Sequence, residues 1–130
     1  MLLVYTTLGS SSIHGIGLFA AQFIPKGTFT WRYNPDFDIA YSTEEIDRMS
    51  LPAKEQVLKY AYYDQDLQKH ILCFDDQRFI NHSSNDPNIL STPREDIAAR
   101  DIQEGEELLS DYNCFDNTYF ERLGLKTLLN

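Results

Sequence analysis

The chain has 130 residues, 42% of them hydrophobic, and a formal net charge of −9. That length suits one domain, which buries roughly two-thirds of the surface its unfolded chain exposes. The acidic balance argues against nucleic-acid binding, which needs a basic footprint; no apolar run approaches the ~18 residues of a spanning helix; and two cysteines, Cys73 and Cys114, are too few for a disulfide framework. Met1-Leu2-Leu3-Val4-Tyr5 lacks the basic and long apolar regions of a signal peptide. The expectation is a reduced intracellular protein, cytoplasmic if the source is bacterial, with nuclear access if it is eukaryotic, viral or secreted into a host. Every Asp and Glu lies at or after Asp36, and an acidic surface of this kind attracts basic partners.

In chain order, Leu2 to Thr6 is apolar and β-branched and predicts a first strand, with a loop at Gly9-Ser10-Ser11-Ser12. Phe19 to Ile24 is too short for a helix before the turn at Pro25-Lys26-Gly27. Thr28 to Tyr33 predicts a strand that Asn34-Pro35 ends. Ser42 with Glu45 three residues on is a capping box for a helix over Thr43 to Met49. Ser50 and Pro52 start a second helix that runs to Tyr60, with Val57, Leu58 and Ala61 as its apolar face. Tyr62 to Asp64, Ile71 to Phe74, Glu95 to Ile102 and Leu108 to Tyr112 read as short strands, and a last helix over Asn117 to Leu123 stops at Gly124. The pattern is a mainly β fold with short helices and several small sheets, in a single domain over 1–130.

Three stretches carry chemistry. Gly15-Ile16-Gly17-Leu18-Phe19-Ala20 matches a dinucleotide fingerprint letter by letter, but that reading needs a helix afterwards, and Pro25 and Gly27 leave no room for one. The bland alternative is a pair of glycines serving a tight turn. Arg78-Phe79-Ile80-Asn81-His82-Ser83-Ser84-Asn85-Asp86-Pro87-Asn88 reads as a strand end followed by a hydrogen-bonded loop, and Asn81 and His82 carry donors and acceptors for a polar ligand. Gly105-Glu106-Glu107-Leu108-Leu109-Ser110-Asp111-Tyr112 reads blandly as a turn, an acidic run and a core tyrosine. His70, Cys73, His82 and Cys114 lack the paired spacing of structural zinc sites, so no metal is expected.

In this order the three stretches resemble the SET domain, the protein lysine methyltransferase fold that uses S-adenosylmethionine. The resemblance runs from about His14 to Tyr112, with 36–60 as a variable insert and 117–124 as a short helical end, and is nearest to small stand-alone viral and bacterial SET proteins. It implies a β-clip-like fold of small curled sheets with a C-terminal pseudoknot. It places Gly15, Ile16, Gly17, Asn81 and His82 at the S-adenosylmethionine, with Phe115, Tyr119 or Phe120 closing that pocket, Phe115 foremost. Tyr112 falls on the catalytic tyrosine, and Tyr60, Tyr62 and Tyr119 on the wall of the lysine channel. The sequence departs from the family at Ser84, where a cysteine is usual, at the extra Asn85, and in having only Cys114 after Tyr112, so no zinc module after the domain is expected.

The implied reaction needs a neutral lysine amine, whose free pKa is about 10.4, and an apolar aromatic channel lowers it by desolvation. A tyrosine with a pKa near 10 orients the amine rather than acting as a strong base. The expected partner is a basic protein or peptide, such as a histone tail, a histone-like protein or a ribosomal protein, bound as an added strand. No direct nucleic-acid or membrane partner is expected, and the protein is expected to be a monomer or homodimer. The alternatives are a catalytically silent SET-like module that binds peptide or cofactor, and an unrelated small β protein whose motifs are only turns and core.

Overall fold

The computed structural model describes residues 1–124. The last residues of the domain expected over 1–130 lie outside this described part. The strands are β1 (Thr6–Ser10), β2 (Ile16–Ala20), β3 (Phe29–Arg32), β4 (Ile39–Tyr41), β5 (Tyr62–Asp64), β6 (Lys69–Leu72), β7 (Asn81–His82), β8 (Ile89–Ser91), β9 (Glu95–Ala98) and β10 (Leu109–Ser110). The helices are α1 (Thr43–Asp47), α2 (Leu51–Tyr60) and α3 (Tyr119–Arg122). The strands form a β1-β2 hairpin, a three-stranded sheet β4-β6-β5 and a five-stranded sheet β3-β9-β8-β10-β7. This is the mainly β architecture of small sheets that the sequence predicts.

The five-stranded sheet holds the pseudoknot. Strand β10 inserts between β7 and β8 and runs parallel to both, so residues 83–88 must cross from one side of it to the other. Asn88, only 2% exposed, fastens the insertion: its Nδ2 donates to the Glu107 carbonyl at 2.8 Å, and its Oδ1 accepts from the Leu109 N–H at 2.8 Å. One amide side chain thereby replaces ladder bonds that two-residue strands cannot supply.

Three apolar clusters stabilise the sheets. Leu18, Ala20 and Ile24 pack on Ile80, Ile89, Ile102 and Leu108 between the hairpin and the pseudoknot. Trp31, Tyr62, Ile71 and Cys73 join the two larger sheets, and Ile46, Val57 and Ala61 seat the helices. A fully buried Ile or Leu, such as Ile24, Ile71 or Ile102, contributes about 1.5–3 kcal/mol.

The helices begin where their caps predict. Ser42 and Glu45 form the reciprocal capping box of α1, and Ser50 caps α2 with proline in the first turn. The segment 36–60 carries β4, α1 and α2. Gly124 takes a left-handed φ of +74° just past α3.

Several boundaries differ from the sequence expectation. The first strand is Thr6–Ser10, not Leu2 to Thr6, because Leu3 N–H already bonds to the Thr30 carbonyl while 6–10 pairs with β2 through Gly9 and Gly17. The loop expected at Gly9-Ser10 therefore belongs to that strand, and the turn is 11–15, closed by Ser11 N–H to the Gly15 carbonyl. Residues 76–79 form a 3-10 turn capped by Asp75, not a strand end. Ile71 to Phe74 shifts to Lys69–Leu72, leaving Phe74 exposed, and Glu95 to Ile102 shortens to Glu95–Ala98. Strand β8 starts at Ile89, with only Asn88 between it and Pro87, and its three residues are too few to show an alternation. Tyr112 opens a 3-10 turn just beyond β10 instead of ending a strand.

Candidate active site

Two cavities meet beneath the pseudoknot. The larger, with about 560 Å³ of solvent-sized space, is lined by His14, Gly15 and Ile16 on one side and by Arg78, Ile80 and Asn81 on the other. The narrower holds about 60 Å³ and is lined by Trp31, Tyr62, Cys73, Asp96 and Phe115. Tyr60, Ile80, Tyr112 and Tyr119 line both. The junction between the cavities is thus an aromatic collar.

The wall of the larger cavity is built by an amide and a carboxylate. Asn81 Nδ2 donates to the His14 carbonyl at 2.9 Å, the Ile16 carbonyl at 3.2 Å and Glu107 Oε2 at 3.0 Å. Ser11 Oγ donates to the same carboxylate at 2.8 Å from Oε2. Gly17 makes that approach possible: a Cβ there would lie 2.9 Å from the Glu107 carboxyl carbon and 3.0 Å from Ser11 Cβ. Gly15 has φ +50° and open space where a Cβ would stand, so its backbone faces the cavity bare. The glycine motif is a hairpin with an exposed backbone edge, followed by a strand and no helix.

The expected site residues divide between front and back of this wall. Gly15, Ile16, Asn81, Tyr112, Tyr60 and Tyr119 face the larger cavity, whereas Gly17 and His82 stand behind it. His82 is 3% exposed, and its Nδ1 accepts the Tyr112 N–H at 3.0 Å. Burial lowers its pKa, opposed by Asp111, whose Oδ1 is 3.7 Å away, so the ring is neutral and holds the start of the Tyr112 turn. Phe115, expected beside the cofactor, lines the narrow cavity instead, with its ring centroid 5.6 Å from Tyr62 and 5.5 Å from Tyr112. Of the three residues proposed to close the larger pocket, Tyr119 is the one that faces it; Phe120 is stacked under Tyr112 with an interplanar angle of 12°.

Tyr112 is fixed at the collar from several sides. Its hydroxyl donates to the Ile80 carbonyl, and its ring packs on Tyr119 at 5.1 Å. Burial, with smaller contributions from Tyr119 and Glu107, pushes its phenol far above the usual tyrosine range, so it remains a neutral donor. The C-terminal segment that supplies Tyr119 is clamped in place: Arg122 bonds Asp116 at 3.0 Å and the Ala61 carbonyl at 3.1 Å, and the Tyr119 hydroxyl donates to the Lys59 carbonyl at 2.6 Å. Tyr62 donates to the Pro93 carbonyl at 2.7 Å, and burial raises its pKa as well.

Sequence reading missed Glu107, Asn88, Asp96 and the cations Lys59 and Arg78. Glu107 sat in an acidic run that reads as solvated surface. Lys59 and Arg78 line both cavities and form no ion pair among the described residues; each rests near an aromatic ring, Tyr60 at 5.2 Å and Phe79 at 5.1 Å. Ser84 and Asn85 are exposed, so the departure from the family pattern stays on the outer loop. Among the described residues no group of three or more His, Cys, Asp or Glu could hold a metal, and no helix is long and apolar enough to cross a membrane.

Comparison with known proteins agrees with this geometry. The family model of the SET domain matches residues 15–113. An N-lysine methyltransferase of Danio rerio, KMT5A-A, is 35% identical over 118 residues, covering 75% of this chain and 32% of that protein. The structure of Chaetomium thermophilum Polycomb Repressive Complex 2 in an autoinhibited conformation bound to S-adenosylmethionine contains a chain that is 26% identical with a TM-score of 0.59, covering 93% of this chain and 16% of its own. A Plasmodium falciparum chain, 21% identical with a TM-score of 0.58, shares the fold over 85% of this chain and 95% of its own. The present chain therefore spans about a third of the Danio protein and about a sixth of the polycomb chain.

Proposed function

The chain belongs to the SET domain family, and from that premise we propose that it is an S-adenosylmethionine-dependent protein lysine N-methyltransferase acting on a basic protein or peptide. The observation that carries the reading is the collar: two cavities of unequal width meet at Tyr60, Tyr112 and Tyr119. A methyl donor in one and an amine in the other would face each other there, and holding reactants in line supplies much of the rate of such a displacement.

The larger cavity fits the cofactor by its donor set. The open Gly15-Ile16 backbone edge offers polar groups to the amino-acid end, and Lys59 and Arg78 offer counter-charge to its carboxylate. S-adenosylmethionine supplies the electrophilic methyl group when bound. Asn81 serves it indirectly, by holding the 14–16 backbone against Glu107. On the other side, Tyr62, Phe115 and Trp31 exclude water from the lysine stem and favour its neutral amine. Tyr112, whose O–H is donated to the Ile80 carbonyl, offers its oxygen lone pairs to an N–H of the amine, which turns the amine lone pair toward the methyl group, and it does not act as the base. The net charge of −9 draws basic segments. A histone tail, histone-like protein or ribosomal protein is the proposed substrate class, in keeping with the lysine methyltransferase name of the Danio relative.

The silent-module alternative rests on Ser84 and Asn85, which are exposed, while the collar keeps its tyrosines, and both observations favour the enzyme. The test is incubation with methyl-labelled S-adenosylmethionine and mixed core histones and ribosomal proteins, with mass spectrometry of the products. Label on lysine Nζ is expected. Cofactor binding with no label on any lysine would instead support the silent module.

A further inference from the structure

The narrow cavity buries one carboxylate in its lining. Asp96 is 4% exposed and lines the same cavity as Tyr112, Tyr62 and Phe115. It lies on β9 opposite Ser91 of β8 and beside Trp31 of β3. Its carboxylate takes a hydrogen bond from Gln77 Nε2 at 2.7 Å and has no ion-pair partner among the described residues. Two further polar atoms of the cavity lining, Trp31 Nε1 and Ser110 Oγ, are buried without a hydrogen-bond partner. A carboxylate held only by neutral side chains, Gln77 and Ser91, in a largely aromatic cavity is costly unless a cation comes to it. The rest of the lining is mainly aromatic and apolar, with Lys59, Arg78, Gln77 and Thr92 as its other polar members, so packing alone does not explain a buried carboxylate there.

We propose that Asp96 receives the ammonium of the incoming lysine in the narrow cavity and takes its proton. This rests on the methyltransferase reading and names the proton acceptor of that same site. The lysine enters as an ammonium. One N–H bond breaks, its electron pair stays on nitrogen, and the proton passes to an Asp96 carboxylate oxygen. The neutral amine then forms its bond to the methyl carbon as the carbon–sulfur bond breaks, and that electron pair remains on sulfur as a thioether. The product nitrogen is a methylated ammonium, and Asp96 returns its proton to water when the product leaves.

The other charged and titratable groups around Asp96 leave this role open. From β3 and β8 it meets Trp31 and Ser91, and from the 3-10 turn Gln77, none of which changes charge. The Cys73 thiol stays protonated, because burial and the surrounding acids raise its pKa. Tyr62 and Tyr112 stay neutral for the same reason of burial. Burial pushes the Asp96 carboxyl up to about 6, outweighing the hydrogen bonds from Ser91 and Gln77 and the Met1 amino group, held 3.1 Å from Asp38, all of which lower it. Lys59 and Arg78 line the same cavity without reaching the carboxylate.

The test uses the full chain and n-butylammonium, the lysine side chain without its backbone. Carbon-detected NMR follows the Asp96 carboxyl, assigned by its loss in Asp96→Asn. The expected result is a titration midpoint that moves down as n-butylammonium is added, with sodium chloride and n-butanol giving no such movement. An Asp96 signal indifferent to the amine would overturn the proposal, whether or not methyl transfer is seen. The second arm is methyl transfer to core histones by wild type and Asp96→Asn across pH. The variant should be slower by tenfold or more near about pH 7, with the gap closing toward about pH 10, where free lysine loses its own proton. A gap constant with pH, or no gap, would overturn the base role. No transfer by the wild type to any basic protein, with the n-butylammonium shift present, would break the methyltransferase reading and leave the amine site standing.

Discussion

The two cavities share a collar, yet they are built by opposite means. The wall of the larger is backbone held by an amide and a carboxylate: Asn81 and Ser11 on Glu107, with the open Gly15-Ile16 edge in front. The narrow one is a tube of rings, Trp31, Tyr62, Phe115 and Tyr112, with a buried acid in its lining. The first wall depends on hydrogen-bond geometry and fails when one donor or one small residue is changed. The second depends on exclusion of water, and its weak point is the charge it buries. Mutations should therefore damage the first and relieve the second.

The largest effect should come from relieving that charge. Burial raises the Asp96 carboxyl to about 6 in the folded protein, above the ordinary value it has unfolded. The folded state then binds the proton more tightly, so this group's stabilising share is full below about pH 4 and falls as pH rises to about 6. Above that, the ionised carboxyl costs about 3 kcal/mol. Asp96→Asn should recover most of this at neutral pH and little in acid, seen as a melting temperature raised only above about pH 6. His82 has the opposite sign. Burial lowers its pKa, so its share is lost as pH falls below about 6.5, when the unfolded imidazole takes up the proton. Comparing Asp96→Asn with wild type at each pH cancels the histidine contribution.

The next effect sharpens the first wall. Gly17→Ala puts a methyl against the Glu107 carboxyl group, and should cost about 2 to 3 kcal/mol in chemical denaturation as the network is forced apart. A stability equal to wild type would mean that Glu107 has room to move. Slightly smaller is Asn81→Ala, which leaves Glu107 and the 14–16 carbonyls without their donor. It should weaken S-adenosylhomocysteine binding by about 2 kcal/mol in calorimetry, with most of the fold retained. Equal binding would show that the loop stands without the amide.

The same contrast explains what the sequence made legible. The first wall comes from contiguous strings, and Gly15-Ile16-Gly17 and Asn81-His82 could be read from them. Their division of labour could not, because it depends on Glu107, which approaches Gly17 only across the hairpin. The capping box at Ser42 and Glu45 was legible because a cap is local. Strand β8 and the two-residue strands β7 and β10 were not, since pairing through Asn88 fixes them rather than an alternating pattern. The narrow cavity gathers residues from Trp31 to Tyr119, and nothing in the run Glu95-Asp96 distinguishes the buried acid from its half-exposed neighbour. Phe115, expected at the cofactor, lines the narrow cavity and not the larger one, because proximity to Tyr112 in sequence does not say on which side of the collar a ring falls.

The central claim is that methyl transfer to a lysine amine takes place at the collar and depends on the Tyr112 hydroxyl. The direct measurement is single-turnover transfer from labelled S-adenosylmethionine to a basic substrate by wild type and Tyr112→Phe, with calorimetric cofactor binding alongside. The phenyl ring keeps its packing on Tyr119 and Phe120, so cofactor affinity should nearly hold. The rate should fall at least tenfold, equivalent to about 1.4 kcal/mol of barrier, because the hydroxyl acts as the methyl moves. An unchanged rate with intact cofactor binding would contradict the account and return Tyr112 to the core.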